Sequence, residues 1–223
     1  LTSAVCSSGV FQGTFQTVVP SDFAVVRDLT IKNTCADPAS RSIAVSNQHD
    51  RARFENVALE AVGAAEYTHA LFNSGAGVTM SGGWLHAENA SDTNSGLLNR
   101  GDGVNLFDVE IDAIGGNNAT GIDNDGTELT FREGKISAFW GTDNCTGIYV
   151  HTDANNLRVE DSLVSGTVGT AAEKFGVFIN GADAKLISTE VGGLVGIALD
   201  NQSTEFATLQ LFDVYSSATV TGL

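Results

Sequence analysis

Eight times along this chain one short pattern recurs: apolar-x-apolar-x-polar-x-x-apolar-x-small. Its polar residue falls at Asp28, Asn56, Gly82, Asp108, Glu133, Asp161, Ser188 and Asp213, in steps of 28, 26, 26, 25, 28, 27 and 25 residues. Self-similarity at such a period signals a stacked repeat architecture. Two positions earlier stand Val26, Phe54, Met80, Leu106, Phe131, Val159, Leu186 and Leu211. Three positions later stand Ile31, Leu59, Leu85, Ile111, Ile136, Val164, Val191 and Ser216, and five later a mostly small column from Asn33 through Ala113 to Ala218. Apolar residues two apart indicate strands and not helices. The polar residue interrupts the alternation, which predicts a bend joining two short strands.

A third strand is expected to open each repeat: Ile43-Ala44-Val45, Leu71-Phe72-Asn73, Leu97-Leu98-Asn99, Ile122-Asp123-Asn124, Ile148-Tyr149-Val150, Val177-Phe178-Ile179 and Ile197-Ala198-Leu199. A glycine precedes five of these seven, which suits a sharp corner with positive φ or a close backbone approach. Three strands per turn, stacked in register, make an all-β, three-sided parallel β-helix. About eight coils spaced ~4.8 Å apart would extend roughly 38 Å. Asn73, Asn99 and Asn124 fall at inward positions, where a lone amide is costly. One coil apart, they can donate to one another as a ladder.

The 223 residues read as one domain, with residues 1–22 an irregular first coil and 23–223 the repeats. Only two prolines occur, and no apolar run reaches the ~18 residues of a membrane span. Eleven basic residues against 27 acidic ones give a net charge of −16. That argues against nucleic-acid and anionic-membrane partners, which need cationic clusters. Cys6 and Cys35 stand 29 residues apart, close to one period, so a disulfide between adjacent coils is expected. Such a bond implies an extracellular or cell-surface location. Cys145 is left over, as a free thiol or an intermolecular bond. The chain starts mid-pattern without a signal-peptide n-region, so a processed or partial product is expected. Sequons at Asn89, Asn118, Asn144 and Asn201 match the frequency chance provides. The turn from Gly147 to Phe175 is long and that from Gly176 to Val195 short, a variation that marks the contact side in solenoids.

The stretch FAVVRDLTIKNTCADPASRSIAVSNQHDRARFENVALEA, from Phe23, resembles pectin methylesterases. In that family a run ending T-F-x-N-T precedes A-V-A-L and then D-R-x-x-F. Asp50-Arg51 and Phe54 match the last element. The resemblance covers under a fifth of the chain. Where those esterases carry a Gln-Asp-Thr catalytic motif, Gly63-Ala64-Ala65 stands here, and their Val-Asp-Phe motif has no counterpart. The resemblance thus implies the pectin lyase-like right-handed β-helix superfamily without that activity. Later repeats, "GIDN…LTFREGKISA" and "GIYV…LRVEDSLVSG", are similar to secreted adhesive and tail-fibre-like β-helices.

Two outward surfaces carry candidate residues. On one, Trp84 and His86 are expected beneath Glu110 and Asp112, with Lys135 and Ser137 above. Carboxylates beside an exposed aromatic suit glycoside hydrolysis or uronate binding. On the other, Ala44, Phe72, Leu98, Asp123, Tyr149, Phe178 and Ala198 form a largely apolar stripe, the mark of an interface with a second copy or a glycan. Asp123-Asn124-Asp125-Gly126 only hints at calcium, because Asn124 is expected inward. Arg100-Gly101-Asp102, an integrin tripeptide, is too common to weigh. No metal and no cofactor are assigned. The ends show no helical cap, so two expectations stand: a longer parent protein supplies the covering part, or a second copy does, with end-to-end stacking promoted by salt beside lateral contact. The sequence reading is a secreted structural or binding module that self-associates. Its alternative is a polysaccharide-active enzyme using Glu110, Asp112 and His86.

Overall fold

The computed structural model describes residues 1–7, 13–17, 24–63, 65–167, 170–180, 183–200, 208–216 and 219–221. Pro20, Ala64, Asn201 and Ala218 lie outside the described residues. The chain is a right-handed parallel β-helix of about seven turns, beside the eight recurrences of the pattern. Among the described residues there is no helix, and none long and apolar enough to cross a membrane.

Each turn lays down three faces. The first and second are continuous in the early turns, as in Arg53–Val62 and Thr79–Glu88. Later they divide into pairs such as Asn105–Phe107 with Glu110–Ile114, and Thr130–Arg132 with Lys135–Phe139. The third face stacks Arg41–Asn47, Tyr67–Asn73, Thr93–Asn99, Asn118–Asn124, Asn144–Val150, Glu173–Ile179 and Val195–Leu199. Described pairings are parallel except that of Cys6–Ser7 with Arg41 and Ser42. Cys6 is disulfide-bonded to Cys35, with their Cα atoms 5.1 Å apart, which ties the N-terminal segment to the first full turn.

The bend expected at the polar column is a left-handed residue in every turn. Asp28, Asn56, Gly82, Asp108, Glu133, Asp161, Ser188 and Asp213 all have φ between 46° and 66°. For a non-glycine residue this conformation costs roughly 1–2 kcal/mol. What it secures is a turned chain whose amide still points along the axis. Asp108 N donates to Arg132 O at 3.0 Å and Asp161 N to Ile187 O at 3.0 Å, so the corner stays in the ladder. A second left-handed column, Arg51, Gly77, Gly103, Glu128 and Asn156, lies five residues before the first in each of these turns. Asn89, Gly115 and Trp140 mark the third corner.

Side chains from all three faces meet in one continuous core, in which Phe54, Leu59, Leu85, Ile111, Phe131, Ile136 and Ile148 have no exposed surface. Leu211, in the last described turn, is 39% exposed. The glycines expected to precede the third-face strand lie inside it, have no positive φ, and owe their place to close approach. A Cβ on Gly96 would sit 2.2 Å from Ile111 Cγ2, and one on Gly121 2.2 Å from Ile136 Cγ2.

The asparagine ladder exists and is one rung longer than expected. Asn47 Nδ2 donates to Asn73 Oδ1 at 2.6 Å, Asn73 to Asn99 at 2.8 Å and Asn99 to Asn124 at 2.7 Å. Each amide also binds the main chain two residues on, as Asn99 does through Gly101 O and Gly101 N. The extra rung corrects the register of the first turn. Val45-Ser46-Asn47, and not Ile43-Ala44-Val45, lies beneath Leu71-Phe72-Asn73, so Ser46 replaces Ala44 in the outward stripe. Pairing of amide with amide outweighs the better apolar match of the shifted alignment.

Two substitutions check this account. Asn99→Ala strands Asn73, Asn124 and the Gly101 main chain in a dry interior, and should cost at least ~3 kcal/mol in urea unfolding. At a corner, Asp108→Gly should be neutral or stabilising. Asp108→Val should lose about 1–2 kcal/mol, because a β-branched residue resists the left-handed region.

Candidate functional site

The third face presents outward side chains in three rows that cross the turns. One row is Arg41, Tyr67, Thr93, Asn118, Asn144 and Glu173; the next runs through His69, Ser95, Thr120, Thr146 and Phe175. The last is Ser46, Phe72, Leu98, Asp123, Tyr149, Phe178 and Ala198, the corrected stripe. Its members have unlike surroundings. Phe72 is 5% and Leu98 8% exposed, in a small cluster with Ile43 outside the main core, and Arg100 lies over the Phe72 ring at 5.9 Å. Tyr149 and Phe178 are half-buried and stack in parallel, with ring centroids 5.1 Å apart and planes 4° apart. Phe175 meets Phe178 edge-on at 5.0 Å.

These rows line two adjoining cavities. The larger, about 380 Å³, is walled by Tyr149, Phe175 and Phe178 and edged by Asn118, Asn144, Thr146, Asp123 and Glu173. The smaller, about 270 Å³, holds Arg41, Tyr67, His69, Arg100, Asp123 and Asp125. Thr93, Asp123 and His151 belong to both. His151 Nε2 meets Asp123 Oδ1 at 2.7 Å across adjacent turns, and Tyr149 stands edge-on to its ring at 4.7 Å. The hydrogen bond to Asp123 raises the His151 pKa above its ordinary 6.5. His69, wholly buried at the floor, is pushed down to about 4 by loss of solvent.

The second face has the register expected of it. Glu110 lies above Trp84 and below Lys135, and Asp112 above His86 and below Ser137. Trp84 Nε1 donates to Asp112 Oδ2 at 3.1 Å, and the Trp84 and His86 rings are 4.6 Å apart. His86 Nε2 faces Glu88 Oε2 at 3.2 Å. Lys135 Nζ donates to Glu110 Oε1 at 2.9 Å, and this bond raises the lysine's pKa. Both candidate carboxylates therefore have a donor in the neighbouring turn. A still larger cavity, about 550 Å³, opens on the first face among Asn105, Thr130, Arg158, Lys185 and Gln210. Arg158 is bonded to Glu160, and Lys185 sits over Phe212 at 5.0 Å, so its cations are engaged.

Other sequence candidates take structural places. Asn124 is 1% exposed within the ladder, and among the described residues no group of three or more His, Cys, Asp or Glu could hold a metal ion. Cys145 is buried outside any disulfide, its sulfur accepts from Gly141 N at 3.2 Å, and burial raises its pKa. His151, Phe175 and Glu173 escaped the sequence reading. Aligning the strands beyond their three central residues would have placed Phe175 and Glu173 on the outer face. His151 lies past the strand end, where no periodicity applies.

The two histidines should bend stability with pH in opposite senses. His69 binds its proton in the unfolded chain at 6.5 but in the fold only near 4, so stability falls as pH drops between those values. His151 binds its proton more tightly when folded. Its contribution is complete below 6.5 and is lost as pH rises through the raised value. In urea titrations across pH, His69→Asn should flatten the acid limb. His151→Gln should lower stability on the acid side and leave the alkaline side unchanged.

Comparison with known proteins finds no matching protein family and no significant match among curated proteins.

Proposed function

We propose that this chain is an extracellular β-helix binding module that holds an extended saccharide along its third face. The observation that carries this reading is the parallel Tyr149–Phe178 stack, half-exposed at the wall of a cavity otherwise edged by amides, hydroxyls and carboxylates. Apolar rings beside closely spaced hydrogen-bonding groups match the two surfaces of a pyranose. The repeat of the turns, close to the length of one sugar unit, offers similar groups at each step along the axis. The Cys6–Cys35 disulfide supports an oxidising compartment. The pectin lyase-like resemblance around Asp50-Arg51 and Phe54 supports a saccharide over other ligands.

Self-association through the same stripe draws on fewer residues than its sequence promised, since Phe72 and Leu98 are already buried in the single chain. End-to-end contact remains a separate proposal, tested by particle length across a salt series. Hydrolysis or cleavage of a polysaccharide by Glu110 and Asp112 is the second reading. It draws on their adjacent outward rows, Glu110 beside Trp84 and Asp112 beside His86.

Binding of an oligosaccharide panel, measured by calorimetry, tests the first reading. Tyr149→Ala and Phe178→Ala should each weaken binding roughly tenfold while circular dichroism stays β-rich. Binding untouched by both changes would remove the third face from the function. Turnover of any polysaccharide, abolished in Glu110→Gln with Asp112→Asn, would establish the second reading in its place.

A further inference from the structure

The larger third-face cavity has a distinctive charge. Its walls are three aromatic rings, Tyr149, Phe175 and Phe178, and its carboxylates are Asp123 and Glu173. Among the described residues lining it there is no lysine or arginine. The lining histidine, His151, is hydrogen-bonded to Asp123 and so brings its own counter-charge. Aromatic faces carry the negative part of the ring quadrupole and attract cations held near them, and each ring of the stacked Tyr149–Phe178 pair keeps one face that the other does not cover. The whole chain adds a field of the same sign, with 27 acidic residues against 11 basic ones.

Arg41 and Arg100 lie in the adjoining cavity and His151 offsets Asp123, so inside this one the unmatched charge is the Glu173 carboxylate, which repels an anionic sugar chain and is left unused by a neutral one. We infer that the cavity takes an amine-bearing saccharide, with the protonated amino group seated between the Tyr149–Phe178 wall and the Glu173 carboxylate. This rests on the saccharide reading above and names the ligand's charge. The hydroxyls and ring oxygen face Asn118 and Asn144, themselves bonded at 2.7 Å, and Thr120 and Thr146 along the cavity. Glu173 is exposed and belongs to the outward row, so it can meet an ammonium group without a change of fold.

The test compares three oligosaccharides of equal length by calorimetry at mildly acidic pH: chitosan with free amines, fully N-acetylated chitin, and oligogalacturonate. A tri-lysine peptide is run beside them. The amine form should bind at least tenfold more tightly than the acetylated one, oligogalacturonate should not bind, and added salt should erode the difference. Glu173→Gln should abolish that preference. Glu190→Gln removes the same charge on the second face and should leave it intact, which separates a built site from general attraction. Equal or tighter binding of the acetylated or uronate chain would overturn the inference and leave the saccharide reading standing. Equal loss in Glu173→Gln and Glu190→Gln would also overturn it. Tri-lysine binding as tightly as chitosan would assign the cavity to basic peptides instead, and absence of binding by every saccharide would overturn both readings.

Discussion

The fold depends on hydrogen bonds that run along one axis. Each strand of an inner turn has its amides and carbonyls matched by the turns before and after it, so an error in one register would propagate to its neighbours. Two devices hold that register. The left-handed corners keep the amides of residues such as Asp108 and Asp161 pointed along the stack while the chain changes direction. Where the third-face strand ends, the Asn47–Asn73–Asn99–Asn124 ladder extends the pairing into side chains. Beyond Asn124 the same column continues as Val150, Ile179 and Leu199, and packing replaces hydrogen bonding as the inner support.

Stacking in register also decides what the surface looks like. Whatever one turn presents, the next presents immediately above it, so outer rows become stripes of related chemistry. On the second face this gives ion pairs between turns, Lys32 with Glu60 at 2.7 Å and Lys135 with Glu110 at 2.9 Å. The exposed Lys135–Glu110 pair contributes at most about 1 kcal/mol. On the third face it gives two chemistries in sequence: covered aliphatic and aromatic side chains in the early turns, open aromatic rings with carboxylates in the later ones. The boundary between them is Asp123, whose partner His151 lies 28 residues on.

The fold was legible because its columns are built from repeated side-chain character. The inward positions occupied by Phe54, Leu106 and Phe131 could be read at a fixed distance from Asn56, Asp108 and Glu133, and each of those polar residues is a left-handed corner. The first turn misled because Ile43-Ala44-Val45 satisfies the apolar pattern better than Val45-Ser46-Asn47, and only a ladder known to start at Asn47 reveals the shift. Exposure was harder to read than direction. Phe72 does face outward, yet the cluster with Ile43 and Leu98 and the overlying Arg100 cover it. The cavity was legible only in part, since Tyr149 and Phe178 obey the strand period whereas His151 hangs from a connection of irregular length.

That irregularity is confined. From Arg51 to Asn56, Gly77 to Gly82, Gly103 to Asp108, Glu128 to Glu133 and Asn156 to Asp161, the interval between two corners never changes. Differences in turn length are therefore taken up by the connections that flank the third face. Evolution can lengthen or shorten the rims of the groove one turn at a time while the scaffold behind it keeps its measure. A helix of this kind can change what it recognises by editing its borders, with no need to redesign its interior.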